Sequence, residues 1–170
     1  MIPLLQFRRA VAQDAPLLTE IAIAAKRHWG YPDEWMAQWR PDLTLAPTYL
    51  RSELVVVAEL AGEVVGFAGL SELEGSRFLE HLWLRPSHIG RGFGRTLFLE
   101  IARQAQAAGI PELRIKSDPN AELFYLKMGA VRTGSDSYLL LGKFRREVPL
   151  LIYQLRSEAN TTLGSGHGPE

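Results

Sequence analysis

The segment Gly90-Arg91-Gly92-Phe93-Gly94 has the composition of an anion-binding loop. It follows an apolar run that ends at Leu84 and precedes a helical pattern. Glycines let the backbone approach a ligand closely, and a helix N-terminus adds free N–H groups and positive potential, so a pyrophosphate fits such a site. A Walker loop is disfavoured because Gly94 is followed by Arg95-Thr96 instead of Lys-Ser/Thr, and the glycine spacing departs from the dinucleotide fingerprint. A tight turn that only lets strand and helix pack is the alternative.

Basic side chains surround this loop. Arg91 and Arg95 lie at the predicted helix start, where cations oppose the helix dipole unless an anion is bound. Arg85 and His88 flank the same turn. Each residue alone is typical of a solvated surface, but together they favour a phosphate-bearing ligand.

Two residues are candidates for proton transfer. Glu80 and His81 lie in the predicted strand before the loop, and since adjacent strand residues point to opposite faces, at most one can face a given site. Glu80 on a solvated strand face and His81 packed in the core are the structural alternatives. Tyr125 lies on a later predicted helix, where an aromatic residue that faces the core is one interpretation.

Aromatic residues cluster between the first two predicted helices. Trp29 and Tyr31 are candidates to contact an apolar or cationic ligand, where each cation–π contact contributes about 0.5–2 kcal/mol. Trp35 and Trp39 are four residues apart, which favours helix anchors that pack in the core.

The elements that must position these residues follow from periodicity and breakers. Three consecutive antiparallel strands are predicted at 54–59, 64–70 and 79–84, followed by a helix with an apolar stripe that Gly109 ends. Asp118-Pro119 starts a further helix that stops at Gly129, and residues 148–155 form a last strand. This order predicts an α/β or α+β domain, with a mixed, mostly antiparallel sheet flanked by helices.

Length and composition fit one globular domain, since the chain has 170 residues of which 46% are hydrophobic. We expect a single domain over residues 1–156 and a polar, disordered tail over 157–170. The 19 Lys and Arg residues balance 19 Asp and Glu residues, which argues against a nucleic-acid partner or an anionic membrane partner.

The chain contains no cysteine, which excludes thiolate metal sites and any acyl-cysteine intermediate, and we expect no metal. No apolar run approaches the roughly 20 residues of a membrane helix, and the N-terminal residues lack the layout of a secretory signal. A cytoplasmic location is therefore expected.

Two motifs together resemble the GNAT N-acetyltransferase superfamily. Residues 82–94 are similar to its acetyl-CoA motif, in which Gln or Arg and two free positions precede Gly, one free position, and Gly or Ala. Gly92 and Gly94 match the small positions, whereas Ile89 replaces the Gln or Arg. Residues 118–130 are similar to the family's Asn…Ala…Phe-Tyr-x-x-x-Gly-Phe helix, with Tyr125 in place and Asp118 at the Asn position.

The resemblance implies that acetyl-CoA is the co-substrate and gives a set of expected contacts. The expected cofactor-binding residues are Leu82, Trp83, Leu84, Ile89, Gly90, Arg91, Gly92, Phe93, Gly94, Arg95, Thr96, Asp118, Asn120 and Tyr125. It also implies that Tyr125 is the general acid, that Glu80 is the base acting through water, and that a backbone N–H within 82–84 binds the thioester carbonyl. Whether Glu80, His81 or water is the base remains open.

The activity that the resemblance implies is acetyl transfer from acetyl-CoA to a primary amine of a small molecule or peptide, by direct attack in a ternary complex. Trp29, Tyr31, Glu80 and His81 are the expected acceptor contacts, and a homodimer is a common assembly of the family. A non-catalytic acyl-CoA-binding or sensing module is the alternative.

Overall fold

The computed structural model of the chain describes residues 4–155, which form seven strands and five α-helices. The strands are β1 (Leu5–Arg9), β2 (Val55–Leu60), β3 (Glu63–Leu73), β4 (Ser76–Leu84), β5 (Glu112–Lys116), β6 (Val131–Leu140) and β7 (Phe144–Gln154). The helices are α1 (Ala15–Arg27), α2 (Asp33–Leu43), α3 (Pro47–Ser52), α4 (Phe93–Ala107) and α5 (Glu122–Lys127).

The strands form one sheet in the order β1-β2-β3-β4-β5-β7-β6. All neighbouring strands are antiparallel except β4 and β5, which are parallel and joined by the 15-residue helix α4. This arrangement confirms the predicted fold class, a mixed and mostly antiparallel sheet flanked by helices.

Both faces of the central strands are buried. In β2, Val55 and Val57 pack in the core beneath α1, α2 and α3, whereas Val56 and Ala58 pack in the core beneath α4. Since side chains alternate along a strand, a continuous run of apolar residues covers both faces at once. The sheet is therefore a rigid central layer on which loops at one end can be positioned.

Helix α4 begins where Gly92 adopts a left-handed conformation at its N-cap, with φ +85°. Its buried stripe follows helical spacing and consists of Leu97, Phe98, Ile101, Ala102 and Ala105. Gly109, with φ +80°, follows the helix end as the sequence predicts.

The predicted elements differ from the observed ones in three places. Strand β4 starts at Ser76, three residues before the predicted position, and β7 starts at Phe144 instead of residue 148. Strand β6 pairs only with β7 and is exposed along nearly its whole length, so it carries no apolar pattern. The predicted tail over 157–170 lies outside the described residues.

Candidate active site

A β-bulge in β4 opens the sheet at Glu80. His81 pairs with Gly69 and Leu79 pairs with Leu70, so Glu80 has no partner on β3. On its other side β4 pairs with β5 only at Phe78, opposite Arg114. Beyond that point the two parallel strands diverge and leave a gap, and a bulge is a common means of producing such a divergence.

A cleft of about 390 Å³ occupies this gap and continues to the glycine-rich loop. Eleven of the fourteen expected cofactor contacts line it: Leu82, Trp83, Leu84, Ile89, Gly90, Gly92, Gly94, Arg95, Asp118, Asn120 and Tyr125. Arg91, Phe93 and Thr96 are not in the cleft lining. The Arg91 guanidinium carbon lies 5.1 Å from the centre of the Phe93 ring, and the Thr96 hydroxyl donates to the Gly92 carbonyl.

The glycine-rich loop has the geometry of an anion cradle. Gly90 and Gly92 have φ of +78° and +85°, and a Cβ placed on either would meet no atom within 4 Å, so the space beside the loop is open. The first N–H groups of α4 follow directly, and Arg95 lines the same cleft. Arg85 is turned away, since its Nε donates to the Val64 carbonyl oxygen. The residues present therefore fit a pyrophosphate at the start of α4.

Tyr125 forms part of the cleft wall at α5. Burial, with a smaller effect of the nearby Asp118 carboxylate, raises the pKa of its phenol above the ordinary value. Among the described residues its hydroxyl makes no hydrogen bond, although the residue is 93% buried. The phenol is thus protonated at neutral pH and free to donate to a group inside the cleft.

His81 lies in the core and not in the cleft. Its ring packs 5.7 Å from the rings of both Tyr49 and Phe67, and its Nδ1 accepts a hydrogen bond from Trp83 Nε1. Burial lowers its pKa to about 4, so it stays neutral at physiological pH. The structure thus leaves Glu80 as the nearer candidate base, because Glu80 is exposed in the gap and its carboxylate accepts a hydrogen bond from Ser71.

Tyr31 is held in a hydrogen-bonded network centred on Asp118, while Trp29 lines the cleft. The Asp118 carboxylate accepts from Lys26 Nζ at 2.6 Å, from the Tyr31 hydroxyl at 2.9 Å and from Arg146 Nη2 at 3.1 Å. Burial alone would raise the pKa of Asp118, but the charge of Lys26 and the hydrogen bonds from Lys26, the Asn120 backbone and Tyr31 lower it below the ordinary value. We call Lys26, Tyr31, Asp118 and Arg146 the Asp118 network.

The Asp118 network buries more positive than negative charge. Only 12% of the Lys26 side chain and 11% of the Arg146 side chain are exposed, and both cations share one carboxylate, that of Asp118. Both cations also lie over the ring of Trp39, at 4.2 Å and 4.9 Å from its centre. Trp39 is therefore a core anchor, as its spacing predicts, and its ring partly replaces the lost hydration of the cations.

A second cavity, of about 530 Å³, adjoins the cleft, and we call it the sheet groove. Leu113 and Ile115 of β5 are buried beneath α4, so Arg114 and Lys116 face the opposite side, where the groove lies. The two cavities share Leu79, Glu80 and Lys116, the residues that border the gap between β4 and β5. A ligand in the groove and a ligand in the cleft can therefore meet at Glu80.

Several residues that line the cleft are not predicted as site residues from the sequence, among them Ala25, Lys116, Ser117 and Phe124. Lys116 and Ser117 directly precede Asp118 at the end of β5, so their proximity to the anion loop depends on the parallel pairing of β4 and β5. The sequence signal that would have found them is the position of both motifs at the C-terminal ends of neighbouring strands.

The family model for the Acetyltransferase (GNAT) family matches residues 16–130. The chain belongs to this family. Both cavities and both sequence motifs are built largely from the matched segment, which includes the glycine-rich loop and Tyr125.

The chain is also similar to a protein named as an acetyltransferase. Over 96 residues the chain is 34% identical to acetyltransferase SG1711 of Sodalis glossinidius (strain morsitans), a match that covers 54% of this chain. The same match covers 65% of that relative, slightly less than two thirds of its length.

Solved structures show the same fold. A GCN5-related N-acetyltransferase from Rhodopseudomonas palustris superposes with a TM-score of 0.72 at 22% identity, covering 91% of this chain and 97% of that one. PaiA N-acetyltransferase from Thermoplasma acidophilum, solved in complex with coenzyme A, gives a TM-score of 0.70 at 20% identity, covering 89% and 99%.

Residues 4–155 contain neither a metal-ligand cluster nor a membrane-spanning helix. No group of three or more His, Asp or Glu residues in this part of the chain is arranged to hold a metal ion. No helix in the same range is long and apolar enough to cross a membrane.

Proposed function

We propose that this GNAT protein transfers an acetyl group from acetyl-CoA to a primary amine of a small molecule or peptide, by direct attack in a ternary complex. The observation that carries the proposal is that the cleft and the sheet groove share Glu80 at the gap between β4 and β5. A thioester in the cleft and an amine in the groove would then be adjacent, with no need for a covalent enzyme intermediate.

The cleft would hold the donor through its backbone. The N–H groups of the loop at Gly90 and Gly92 and of the first turn of α4 would bind the pyrophosphate, with Arg95 beside it. Acetyl-CoA supplies the activated acetyl group as a thioester. After Phe78, β4 no longer pairs with β5, although it still pairs with β3. The backbone N–H groups of 82–84 that face the gap are therefore candidates to bind the thioester carbonyl.

Glu80 would take the proton that the amine must lose. An amine with a pKa of about 10.4 is neutral in only about one molecule in a thousand at about pH 7.4, which costs roughly 4 kcal/mol. A carboxylate at the junction of the two cavities, acting directly or through water, offsets part of this cost. Glu80 or its water thus takes one proton from the ammonium form before the nitrogen lone pair attacks, and the nitrogen releases its second proton to solvent as the new C–N bond forms.

Tyr125 would protonate the departing sulfur. As the C–S bond breaks, the electron pair stays on sulfur, and the phenol donates its hydrogen bond and then its proton there. The raised pKa of Tyr125 means that this proton is present throughout the physiological range. Its position in the cleft wall, without another hydrogen-bond partner among the described residues, supports this role.

The test separates donor binding from transfer. Trp29 and Trp83 line the cleft, so quenching of tryptophan fluorescence reports binding of coenzyme A and acetyl-CoA. Thiol release is then followed with polyamines, amino acids, aminoglycosides and peptides as acceptors. Acetyl-CoA binding with amine-dependent thiol release supports the proposal, whereas binding with no release for any amine favours the non-catalytic acyl-CoA-binding module.

A further inference from the structure

The charged residues of the sheet groove differ in whether they have a partner. Lys116 Nζ and Asp136 Oδ2 form an ion pair of 2.6 Å, which neutralises both. Glu80 accepts a hydrogen bond from Ser71 and forms no ion pair among the described residues. The groove therefore presents one anionic group whose charge is not compensated by a neighbouring cation.

Arg114 is the basic residue of the groove whose guanidinium makes no hydrogen bond among the described residues. The nearest carboxylate oxygen, Oε1 of Glu112, lies 3.6 Å from Arg114 Nε, which is too far for a hydrogen bond. Among the described residues the Arg114 guanidinium has no hydrogen-bond partner, and 48% of its side chain is exposed. Its planar fork of donors is thus available to a ligand in the groove, and such a fork matches a carboxylate.

The Glu80 carboxylate and the Arg114 guanidinium lie at a separation that one small molecule can span. Phe78 pairs in register with Arg114 and precedes Glu80 by two residues, so strand spacing places the backbones of Glu80 and Arg114 about 8 Å apart. Between and beside them lies an apolar surface formed by Phe78, Leu150 and Ile152.

We propose that the acceptor is an amine that also carries a carboxylate, and that Arg114 is the residue that binds this carboxylate. The proposal rests on the acetyl transfer proposed above and specifies its acceptor class. The amine faces Glu80 at the gap, the carboxylate lies against the Arg114 guanidinium, and an apolar side chain packs on Phe78. A free amino acid or short peptide with an apolar side chain satisfies all three contacts.

The same charges oppose polyamines and aminoglycosides. A polycation that places one amine at Glu80 meets the Arg114 guanidinium with its remaining amines, while Lys116 and Asp136, paired with each other, add no net charge. The Asp118 network beside the cleft adds a further excess of buried positive charge. Like charges in a partly enclosed groove disfavour such a ligand more strongly than they would in water.

The first test compares phenylalanine, phenylalaninamide and 2-phenylethylamine, which share an amine and an apolar side chain but differ in the carboxylate, with the dipeptide Phe-Gly and with spermidine. We expect the two carboxylates to exceed the amide, phenylethylamine and spermidine by about 10- to 100-fold in kcat/KM. The amide has the less basic amine, so amine protonation alone would favour it over phenylalanine. The ratio of phenylalanine to Phe-Gly distinguishes a free amino acid from a peptide.

The second test removes the guanidinium of Arg114. In Arg114→Met the preference for phenylalanine over its amide should fall to about one, while the KM for acetyl-CoA is unchanged, and Arg114→Lys should restore only part of the preference. Arg103→Met is the matched control, because Arg103 lies on α4, pairs with Glu100 and lines neither cavity. Equal rates for acid and amide in the wild type, or spermidine as the best acceptor, would overturn the proposal.

A binding measurement tests the carboxylate site at Arg114 even if the protein acetylates no amine. With coenzyme A bound, titration of phenylalanine and phenylalaninamide is followed by the NMR signal of the Arg114 side-chain Nε–H, assigned through its loss in Arg114→Met. A shift with the acid alone supports the carboxylate site even if no amine is acetylated. No shift with the acid overturns it, whatever the catalytic result.

Discussion

Lys26 Nζ lies 2.6 Å from Asp118 Oδ2, and this ion pair joins the last turn of α1 to the turn that precedes the Tyr125 helix. The same carboxylate also accepts a hydrogen bond from the backbone N–H of Asn120 and so caps the short turn at Pro119–Ala121. The Lys26–Asp118 contact therefore fixes the wall that carries Trp29 relative to the wall that carries Tyr125.

Replacing Asp118 by Asn, the residue at the corresponding position of the family motif, should destabilise this chain. Asp118→Asn leaves Lys26 and Arg146 buried without a counter-charge, and the free energy of unfolding should fall by about 3–5 kcal/mol. Urea unfolding followed by circular dichroism measures the change. Adding Lys26→Met should recover about 1–2 kcal/mol, because one unpaired buried cation is removed. If Asp118→Asn is as stable as wild type, the network carries no net charge stabilisation.

The two glycines of the family motif should respond differently to alanine. Gly92 has φ +85°, so Gly92→Ala introduces strain of about 1–2 kcal/mol at the N-cap of α4 and should weaken binding of coenzyme A. At Gly94 a Cβ would lie 3.6 Å from Leu84 and Phe124, which is ordinary contact, so Gly94→Ala is the matched control. Titration calorimetry with coenzyme A should give at least a several-fold weaker Kd for Gly92→Ala than for Gly94→Ala. Equal affinities would show that the conformation at Gly92 is not needed for binding.

The fold was largely predictable because its buried elements carry strong patterns. The apolar run at 55–58 and the stripe of α4 are buried on the predicted faces, and Gly92 and Gly109 bound α4 closely. Strand β6 was not predicted as a separate strand because an edge strand exposed on both faces requires no alternation of apolar residues. Its hydrogen bonds with β7 form it instead.

The site was only partly predictable because side-chain direction depends on tertiary structure. Regular alternation would place Glu80 and His81 on opposite faces, but the bulge at Glu80 interrupts that pattern and turns His81 into the core. Asp118 lies where the sequence predicts a helix to start and caps the short turn that precedes α5, but its ion pairs with Lys26 and Arg146 involve residues 92 and 28 positions away. Contacts at such separations leave no local signal in a single sequence.

The buried neutral His81 should make stability depend on pH. Its pKa is about 4 in the folded chain against an ordinary value of 6.5, so between these pH values the unfolded chain binds a proton that the folded chain does not. Stability should therefore be full above pH 6.5 and fall by about 3 kcal/mol as pH decreases to about 4. Urea unfolding at pH 7.5, 5.5 and 4.5 measures this slope.

His81→Asn provides the control for that slope. The Asn side-chain oxygen can accept the hydrogen bond that Trp83 Nε1 donates to His81 Nδ1, but Asn does not titrate. Asp14 and Asp118, whose pKa values are lowered from 3.8, affect stability only at lower pH. A variant with the same slope as wild type above pH 4.5 would show that His81 is not its source.

Tyr125→Phe should keep donor affinity and lose turnover. The hydroxyl has no hydrogen bond to lose among the described residues, so the fold and the Kd for acetyl-CoA should change little. Loss of a positioned general acid should reduce kcat by about 10²–10⁴-fold, measured as thiol release at saturating donor. Tyr153→Phe is the control, because Tyr153 packs on Phe98 beneath α4 and lines neither cavity. Unchanged kcat in Tyr125→Phe would remove the phenol from the mechanism.

Glu80→Gln should slow transfer in a manner that depends on pH. The amide keeps the size of the side chain and can still interact with Ser71, but it cannot accept the amine proton. At pH 7 we expect kcat/KM for the acceptor to fall by about 10²–10⁴-fold. As pH rises toward the pKa of the acceptor amine, more of the amine is already neutral and the base becomes less important, so the ratio of wild-type to variant rates should shrink. Thiol release from pH 6.5 to 9.5 measures this ratio, with Glu34→Gln on the exposed start of α2 as the control. A ratio that stays constant across this range would mean that Glu80 orients the acceptor or the sheet gap instead of accepting its proton, and water would then be the base.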